Sequence, residues 1–365
     1  MKRFLALALT FTLSITSLIG CGNTTTTSTT NDNIEPKGVK VGVSMPTKSL
    51  QRWNQDGNNI ANSLKEKGYE VDLQFAENEV ETQVNQIENM ITKGVDILVV
   101  GAIDGVVLSA ALNEAKSEGI EVIAYDRLIM NTDAVTYYAT FDNFNVGVIQ
   151  GEYIEEKLDL KNGSGPYNFE IATGPLDDNN VVYFFNGAMS ILQKYIDNGQ
   201  LIVKSGQMTR EKCATPNWDE QEAQSRMDNI ITAYYTSENI DAILCSNDSV
   251  ALGVQSALKS VGYGKGDKKM PIITGQDANI ANVKAIVAGE QSMSVFKDTR
   301  SLAAKVIEMI DAITDGTEPP INDTETYENG VKVVPSYLCT PISVDVNNYK
   351  EVLVDSGYVT ESELK

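Results

Sequence analysis

From Val39 onward short apolar runs alternate with stretches of helical period, and this repetition constrains the fold more than any other feature of the sequence. Strands are expected at 39–45, 71–76, 97–101, 122–125 and 137–141, with helices at 53–67, 79–93 and 106–117 between them. In the second helix Val84, Ile87, Met90 and Ile91 form one apolar stripe, and Gly68, Gly94 and Gly119 follow the three helices at positions suited to C′. A repeated β-α pattern of this kind builds a parallel sheet covered by helices. The pattern restarts after about Phe144, with strands at 168–172, 201–206, 242–245, 272–275 and 292–296 and helices near 180–195, 219–235, 249–261 and 281–288. Residues 95–100 followed, after a helix, by Ile123-Ala124-Tyr125-Asp126 parallel residues 240–245 followed by Ile273-Thr274-Gly275-Gln276-Asp277. Two homologous α/β lobes are expected, and the 365 residues suit about two domains. Open parallel sheets bind ligands outside the carboxyl ends of their strands, so two facing lobes make a cleft lined from both sides.

Composition narrows what such a cleft can do. The chain has no His, which excludes Ser-His-Asp hydrolysis, Cys-His proteolysis and HExxH zinc chemistry, and predicts little titration between pH 5 and 8. Its 29 Lys and Arg against 50 Asp and Glu give a net charge of −21, and no basic cluster offers a face to nucleic acid. No GxxxxGK[ST] loop and no Ca²⁺-loop pattern is present, so neither a cofactor nor a metal is expected.

The N-terminus indicates export. Lys2 and Arg3 precede an apolar stretch diluted by Thr and Ser, too short to span a membrane, that ends in Leu18-Ile19-Gly20-Cys21. Residues 1–20 are expected to be a signal peptide. Leu-Ile-Gly-Cys resembles the bacterial lipobox, which implies lipidation of Cys21. Removing residues 1–20 takes away Lys2 and Arg3 and no acid, leaving −23. Residues 21–37, mostly Thr, Ser, Asn and Asp after the Cys, are expected to be a flexible tether. Cys213, Cys245 and Cys339 are too widely spaced for a CxxC motif, and an odd count leaves at least one free thiol.

The residues just past the expected strands share one chemistry. They are Asp126-Arg127, Asp142-Asn143, Asp177-Asp178-Asn179-Asn180, Ser246-Asn247-Asp248, Gln276-Asp277 and Lys297, with Lys48 and Arg52-Trp53 near the first strand end and Trp218 alone beside Asn217 and Asp219. Planar groups of both signs and two indoles suit a neutral polyol: the polar groups pair with adjacent hydroxyls, and the indoles pack the C–H faces of a sugar ring. Each residue also has a structural alternative. Asp178, Asn179, Asn247 and Asp248 stand where helix N-caps stand, and Trp53 on an amphipathic helix is suited to the core. Arg127 is harder to place structurally, because a charge after a buried strand needs a partner and Asp126 points to the other face.

Met45-Pro46-Thr47-Lys48 with Arg52-Trp53, Tyr125-Asp126-Arg127, Phe141-Asp142-Asn143, Asp178-Asn179-Asn180, Ser246-Asn247-Asp248, Thr274-Gly275-Gln276-Asp277 and Val295-Phe296-Lys297 resemble the periplasmic-type monosaccharide-binding proteins. The likeness is greatest to the multiple-sugar-binding and xylose-binding branch serving ABC importers of the ribose/galactose class, and runs from about Gly38 to Lys365. It implies an α/β type I periplasmic-binding-protein fold, two doubly wound parallel-sheet lobes joined by a three-segment hinge. The implied crossings lie near 142–144, 296–298 and 323–331. The N-terminal lobe would combine 38–142 with 299–321, the C-terminal lobe 143–298 with 322–356, and 357–365 would be a tail. Carried over residue by residue, the resemblance implies sugar-hydroxyl ligands at Arg52, Asp126, Arg127, Asp178, Asn180, Asn247, Asp277 and Lys297, and ring stacking at Trp53 and Trp218. Lys48 and Asn143 are secondary candidates.

The expected function is capture without chemistry. An aldose of the xylose, glucose, galactose or arabinose type enters the cleft, favours the closed state, and is delivered to an ABC permease and its separate ATPase. The protein is expected to be a monomer that meets the membrane only through its anchor, on the outer face of the cytoplasmic membrane or in the periplasmic space of a Gram-negative cell. Three rivals share parts of this pattern. A glycosidase would use paired Asp residues near a sugar. A regulator of the lactose-repressor type would need a basic helix-turn-helix before the first strand, where a signal peptide stands instead. A sugar sensor would present the same closed cleft to a membrane receptor. Asp277→Ala and Arg127→Ala are expected to abolish binding and leave the sugar-free stability near the parent's.

Overall fold

The computed structural model describes residues 37–365. The expected signal peptide 1–20, the candidate lipidation residue Cys21 and the expected tether to residue 36 lie outside them. Lys37, expected to end the tether, belongs to the body: its N–H donates to the Gly68 carbonyl (3.0 Å) and its Nζ to Asp311 (2.8 Å).

In chain order the body runs β1 (Lys40–Met45), α1 (Gln51–Glu66), β2 (Glu70–Phe75), α2 (Val80–Thr92), β3 (Ile97–Val100), α3 (Ser109–Ser117), β4 (Glu121–Tyr125) and β5 (Val135–Phe141). There follow α4 (Asn143–Lys157), β6 (Tyr167–Ala172), α5 (Asn180–Asp197), β7 (Leu201–Ile202), α6 (Arg210–Cys213), α7 (Glu220–Tyr234), β8 (Ala242–Cys245) and α8 (Asp248–Ser260). The chain ends with β9 (Ile272–Ile273), α9 (Ile280–Val287), β10 (Met293–Phe296), α10 (Thr299–Asp315), β11 (Ser336–Cys339), β12 (Ile342–Asp345) and a π-helical turn, Lys350–Asp355. Among the described residues no helix is long and apolar enough to cross a membrane.

The first sheet has the order β11-β5-β4-β3-β1-β2, and all its pairs are parallel. Side-chain alternation along each strand divides its two cores. Ile97, Val99, Ile123 and Tyr125 pack with residues of α1 and α10, while Leu98, Val100, Val122 and Ala124 pack with residues of α2 and α3. The stripe on α2 supplies Ile87, Met90 and Ile91 to the second of these cores, with Val84 against it. The helices stop as the sequence indicates: Gly68 (φ 86°) and Gly94 (φ 69°) take the left-handed backbone that ends α1 and α2.

The second lobe carries the parallel sheet β7-β6-β8-β9, and β10 continues it. The Val295 N–H donates to Gly275 O (2.9 Å), the Asp277 N–H donates to Val295 O (2.8 Å), and β12 pairs antiparallel to β10. Here too the faces alternate: Phe169, Ile171, Ala242 and Leu244 share one core, Ile243 and Cys245 the other.

The expected partition of the C-terminal stretch needs correction in three places. Segment 322–356 does not lie wholly in the second lobe, because β11 pairs with β5 in register Ser336 to Tyr138 and only β12 returns to β10. The third crossing is therefore Thr340-Pro341, between β11 and β12, rather than 323–331. The loop at 323–331 stays on the first lobe because the Asn329 Nδ2 donates to the carbonyls of Thr132 (2.8 Å) and Ile129 (3.2 Å). Residues 357–365 are not a loose tail: Val359 is buried, and the Tyr358 ring packs edge-on against Phe296, 4.5 Å between centroids.

Candidate functional site

The carboxyl ends of both sheets open onto one cavity, about 440 Å³ of empty space with its mouth included. From the first lobe, Arg52 and Trp53 enter it at the start of α1, and Asp126 and Arg127 directly after β4. Arg52 pairs through Nη2 with Asp126, and its Nε donates to Asp56 (3.1 Å), whose other oxygen accepts from the Tyr125 hydroxyl. Asp126 has a left-handed backbone (φ 61°). Its carbonyl accepts from Thr140 Oγ1 (2.9 Å) and Asn180 Nδ2 (2.7 Å) and lies 2.6 Å from the Tyr138 hydroxyl, so the uncommon conformation is held by three donors. Behind Arg127, buried Gln83 fixes the loop after β3 by donating to Gly101 O and accepting from the Ile103 N–H. That loop offers the Ala102 and Ile103 carbonyls to Arg127 Nη1 at 3.0 and 3.3 Å. Both guanidinium groups lie over the Trp53 ring, at 4.8 and 5.1 Å from its centroid.

The second lobe answers with opposite charges. Asp178 stands 2.9 Å from Arg127 Nε, which supplies the partner that sequence left open for this arginine. The same Asp178 oxygen accepts from Trp218 Nε1 (3.1 Å), and its other oxygen accepts from the Asn180 N–H (3.0 Å). Asn247 caps α8 by accepting from the Val250 N–H (2.9 Å) while its side chain lines the cavity. Asp277, with φ 96°, lies 3.0 Å from Lys297 Nζ and 3.6 Å from Arg52 Nη1, joining the lobes. Lys297, 2% exposed, sits at the second crossing with Asp126 4.0 Å away.

Burial opposes the charges of Asp126 and Arg52, and pairing decides the outcome for both. For Asp126 burial pushes the carboxyl up, but Arg52, Lys297 and Arg127 outweigh it and hold the group below the usual carboxylate range. Burial likewise disfavours the Arg52 charge, yet Asp126, Asp56 and Asp277 keep it firmly protonated. Two buried carboxyls behind the wall go the other way. Burial pushes Asp56 up to about 6 against the pull of Arg52, and pushes Asp248 up to about 8 with the charge of Asp277 adding to it. The lack of histidine therefore does not empty the window between pH 5 and 8, as composition suggested. Asp248 is nonetheless well bonded, accepting from the Asn279 N–H (2.8 Å), Gln291 Nε2 (3.0 Å) and Ser294 Oγ (2.9 Å).

Three cations and three carboxylates thus face one cavity with no net charge. Three buried polar atoms on its wall, Arg127 Nε, Gln276 Oε1 and Asp277 Oδ1, make no hydrogen bond of good geometry within the protein. Such atoms, beside two indoles, suit an uncharged ligand rich in hydroxyls. Among the described residues no group of three His, Cys, Asp or Glu side chains is arranged to hold a metal ion. Cys213, Cys245 and Cys339 are free and buried.

Arg52, Trp53, Asp126, Arg127, Asp178, Asn180, Trp218, Asn247, Asp277 and Lys297 all line this cavity. Lys48 and Asn143 do not. Lys48 is exposed with its ammonium 5.1 Å from the Phe75 ring centroid, and Asn143 is buried at the start of α4, donating to Thr140 Oγ1 (3.2 Å). Leu50, Phe184, Ser249, Gln276 and Asn279 also line the cavity. Phe184 follows Asn180 by four residues on α5 and so shares its face, a spacing visible in the sequence.

Residues 41–318 match the family described as periplasmic binding protein domain. The chain is 53% identical over 325 residues, 89% of its length and 92% of the relative's, to the multiple sugar-binding periplasmic receptor ChvE of Rhizobium radiobacter. It is 37% identical over 336 residues, 92% and 95% of the two lengths, to the D-xylose-binding periplasmic protein of Escherichia coli K12. An ABC transporter solute binding protein from Clostridium phytofermentans, solved with bound β-D-glucose, has a TM-score of 0.87 at 57% identity and covers 89% of this chain and 100% of its own. A family match over most of the body, with relatives of this identity along nearly their whole length, makes the chain a member of the periplasmic binding protein domain family.

Proposed function

We propose that this protein captures an aldose monosaccharide of the xylose, glucose, galactose or arabinose type between its lobes and delivers it to an ABC importer. The carrying observation is the cavity wall, where three cations and three carboxylates leave no net charge, Gln276 Oε1 makes no hydrogen bond, and Arg127 Nε and Asp277 Oδ1 are ion-paired without a hydrogen bond of good geometry. An anionic ligand would meet Asp126, Asp178 and Asp277, and an apolar one would strand the polar groups. Hydroxyls both donate and accept, so a sugar meets both needs. The relatives named for multiple sugars and D-xylose, and the glucose-bound structure, support the same reading.

The site is suited to binding rather than turnover, because Asp126 and Asp178 are held in ion pairs rather than left free as an acid and a nucleophile. Isothermal titration of the sugar-free protein with xylose, glucose, galactose, arabinose and ribose tests this. One saturable site for at least one aldose, with no release from an aryl glycoside, is expected; silence toward all five, or steady turnover, contradicts it.

We further propose that the protein works as a monomer at the outer face of the cytoplasmic membrane, held by a lipid on Cys21. The Leu18-Ile19-Gly20-Cys21 sequence supports the anchor. Metabolic labelling with a fatty-acid analogue should mark the parent and not Cys21→Ser. One relative is named a receptor, and the same cleft would serve sensing. Failure of a deletion strain to grow on its sugar identifies transport, and normal growth identifies sensing.

A further inference from the structure

We infer that Gly174 is a specificity-determining position: the notch left by its missing side chain seats the indole of Trp218 and thereby sets how much room the cavity leaves for a ring substituent. The inference rests on the aldose reading and goes beyond it by naming what sets the size limit.

After β6 the chain passes through Thr173 and Gly174, directly behind Trp218, which lines the cavity. A Cβ on Gly174 would stand 2.2 Å from Cη2, 2.3 Å from Cζ2 and 2.5 Å from Cζ3 of Trp218, so the six-membered ring of the indole occupies the space a side chain would take. Trp218 reaches this notch through two consecutive left-handed residues, Asn217 (φ 54°) and Trp218 itself (φ 56°). Such backbone persists in non-glycine residues only where the surroundings fix it, and it concentrates at binding sites.

The backbone side of the notch is tied in place. The Thr173 N–H donates to the Cys213 carbonyl (2.9 Å), and Thr173 pairs with Ala214, which ties this segment to the loop that carries the tryptophan. The indole N–H is held by Asp178 (3.1 Å), and Phe184 packs edge-on at 6.4 Å between centroids. A methyl group at position 174 must therefore displace the ring, and the free volume beside it is the cavity that Trp218 lines. A shallower cavity penalises a hexose, with its hydroxymethyl group, more than the corresponding pentose. A ring substituent of that size changes affinity by about tenfold or more when its space is lost.

The test is calorimetric titration of the parent, Gly174→Ala and the double variant Gly174→Ala/Trp218→Phe with D-glucose and with D-xylose, alongside sugar-free melting curves. The single variant is expected to lose at least about tenfold in glucose affinity and distinctly less for xylose. The smaller ring of the double variant is expected to recover part of the melting temperature lost by the single variant and to move the glucose-to-xylose ratio back toward the parent's. An equal loss for both sugars, a glucose affinity within twofold of the parent's, or a double variant that recovers neither folding nor ratio overturns the inference while leaving the aldose reading intact. A parent silent toward both sugars overturns the aldose reading, and this inference with it.

Discussion

Several side chains on the cavity wall serve structure and binding at once. Asn247 caps α8 and faces the cavity, Asp178 accepts from the N–H of the first residue of α5 while pairing with Arg127, and Trp53 packs in the first lobe's core with both guanidinium groups over its ring. A strand that runs into a helix puts the capping position and the ligand position at the same place. The roles can be separated by substitution. Asp277→Ala removes a carboxylate that caps nothing but pairs with buried Lys297, so sugar affinity should fall by about 2–5 kcal/mol and sugar-free stability should fall too, by about 3 kcal/mol, as the ammonium loses its nearest partner. Asn247→Ala should lose affinity and also about 1 kcal/mol of stability. Arg127→Ala should destabilise as well, by about 1–3 kcal/mol, since the Ala102 and Ile103 carbonyls lose a donor. That revises the expectation of unchanged stability drawn from sequence. Urea denaturation of the three variants without sugar, with titrations beside it, checks the order. The pH dependence is also set at this scale. Asp248 faces Asp277 and the neutral donors Gln291, Ser294 and the Asn279 N–H; Asp56 faces Arg52, Tyr125 and Asp126. Both folded-state values are raised, so the folded protein keeps protons that the unfolded chain releases near pH 4. Their contribution is complete below about pH 4 and is lost as pH rises through the folded value, up to about 6 for Asp56 and about 8 for Asp248, by up to about 1.4 kcal/mol per pH unit for each proton held. Sugar-free stability should therefore decline between pH 6 and 8, and Asp248→Asn should flatten that decline. A parent stability that rises with pH over this interval contradicts the assignment.

Among the elements, α4 and α5 touch most closely. A Cβ on Gly147 would lie 2.1 Å from the Phe184 carbonyl, and one on Gly187 would lie 2.0 Å from the Phe144 carbonyl, so the two helices meet backbone to backbone. This contact brings Asn180 and Phe184 of α5 to the crossing at Asp142-Asn143, and hence to the cavity. Gly187→Val should cost about 1–3 kcal/mol, seen as a lower urea midpoint; an unchanged midpoint would show that the helices can separate freely. Gly147 also hid α4 from sequence reading, because with Gly151 it weakens the helical signal of Asn143–Lys157, which packing then overrides. The parallel strands were legible as apolar runs, the rule that ligands meet strand carboxyl ends drew attention to Asp126, Arg127, Asp178, Asn180, Asn247, Asp277 and Lys297 among their neighbours, and the choice of ten principal candidates, Trp218 included, came from the family resemblance. Strand lengths in the second lobe were less legible: β7 and β9 keep only two residues each of the expected 201–206 and 272–275. The third crossing was misplaced because turn-forming residues at 323–331 signal a loop without indicating which lobe holds it. Asp56, Asp248 and Gly174 gain their roles from neighbours distant in the chain, such as Tyr125, Ser294 and Trp218, and sequence spacing carries no trace of those contacts.

At the scale of the whole molecule, three crossings join two lobes that are closed on the cavity. Arg127 to Asp178, Arg52 to Asp277 and Asn180 to the Asp126 carbonyl span the cleft, and Tyr358 reaches Gln55 of α1 at 3.2 Å. Because these contacts form only when the lobes meet, a ligand held from both sides favours the closed arrangement by its differential affinity for it. The net charge of −21 bears on solubility and on encounters with partners, while the wall of the cavity itself is balanced. Saturation with the right sugar at about a hundred times its Kd should add about 2.7 kcal/mol to stability. The chain's two tryptophans, Trp53 and Trp218, both line the cavity, so a ligand bound there must alter their environment. Titrating D-glucose or D-xylose into the sugar-free protein while recording tryptophan fluorescence should give a saturable change at one sugar per chain. Heat of binding with unaltered fluorescence, or no saturable response to any aldose, would contradict capture in this cleft.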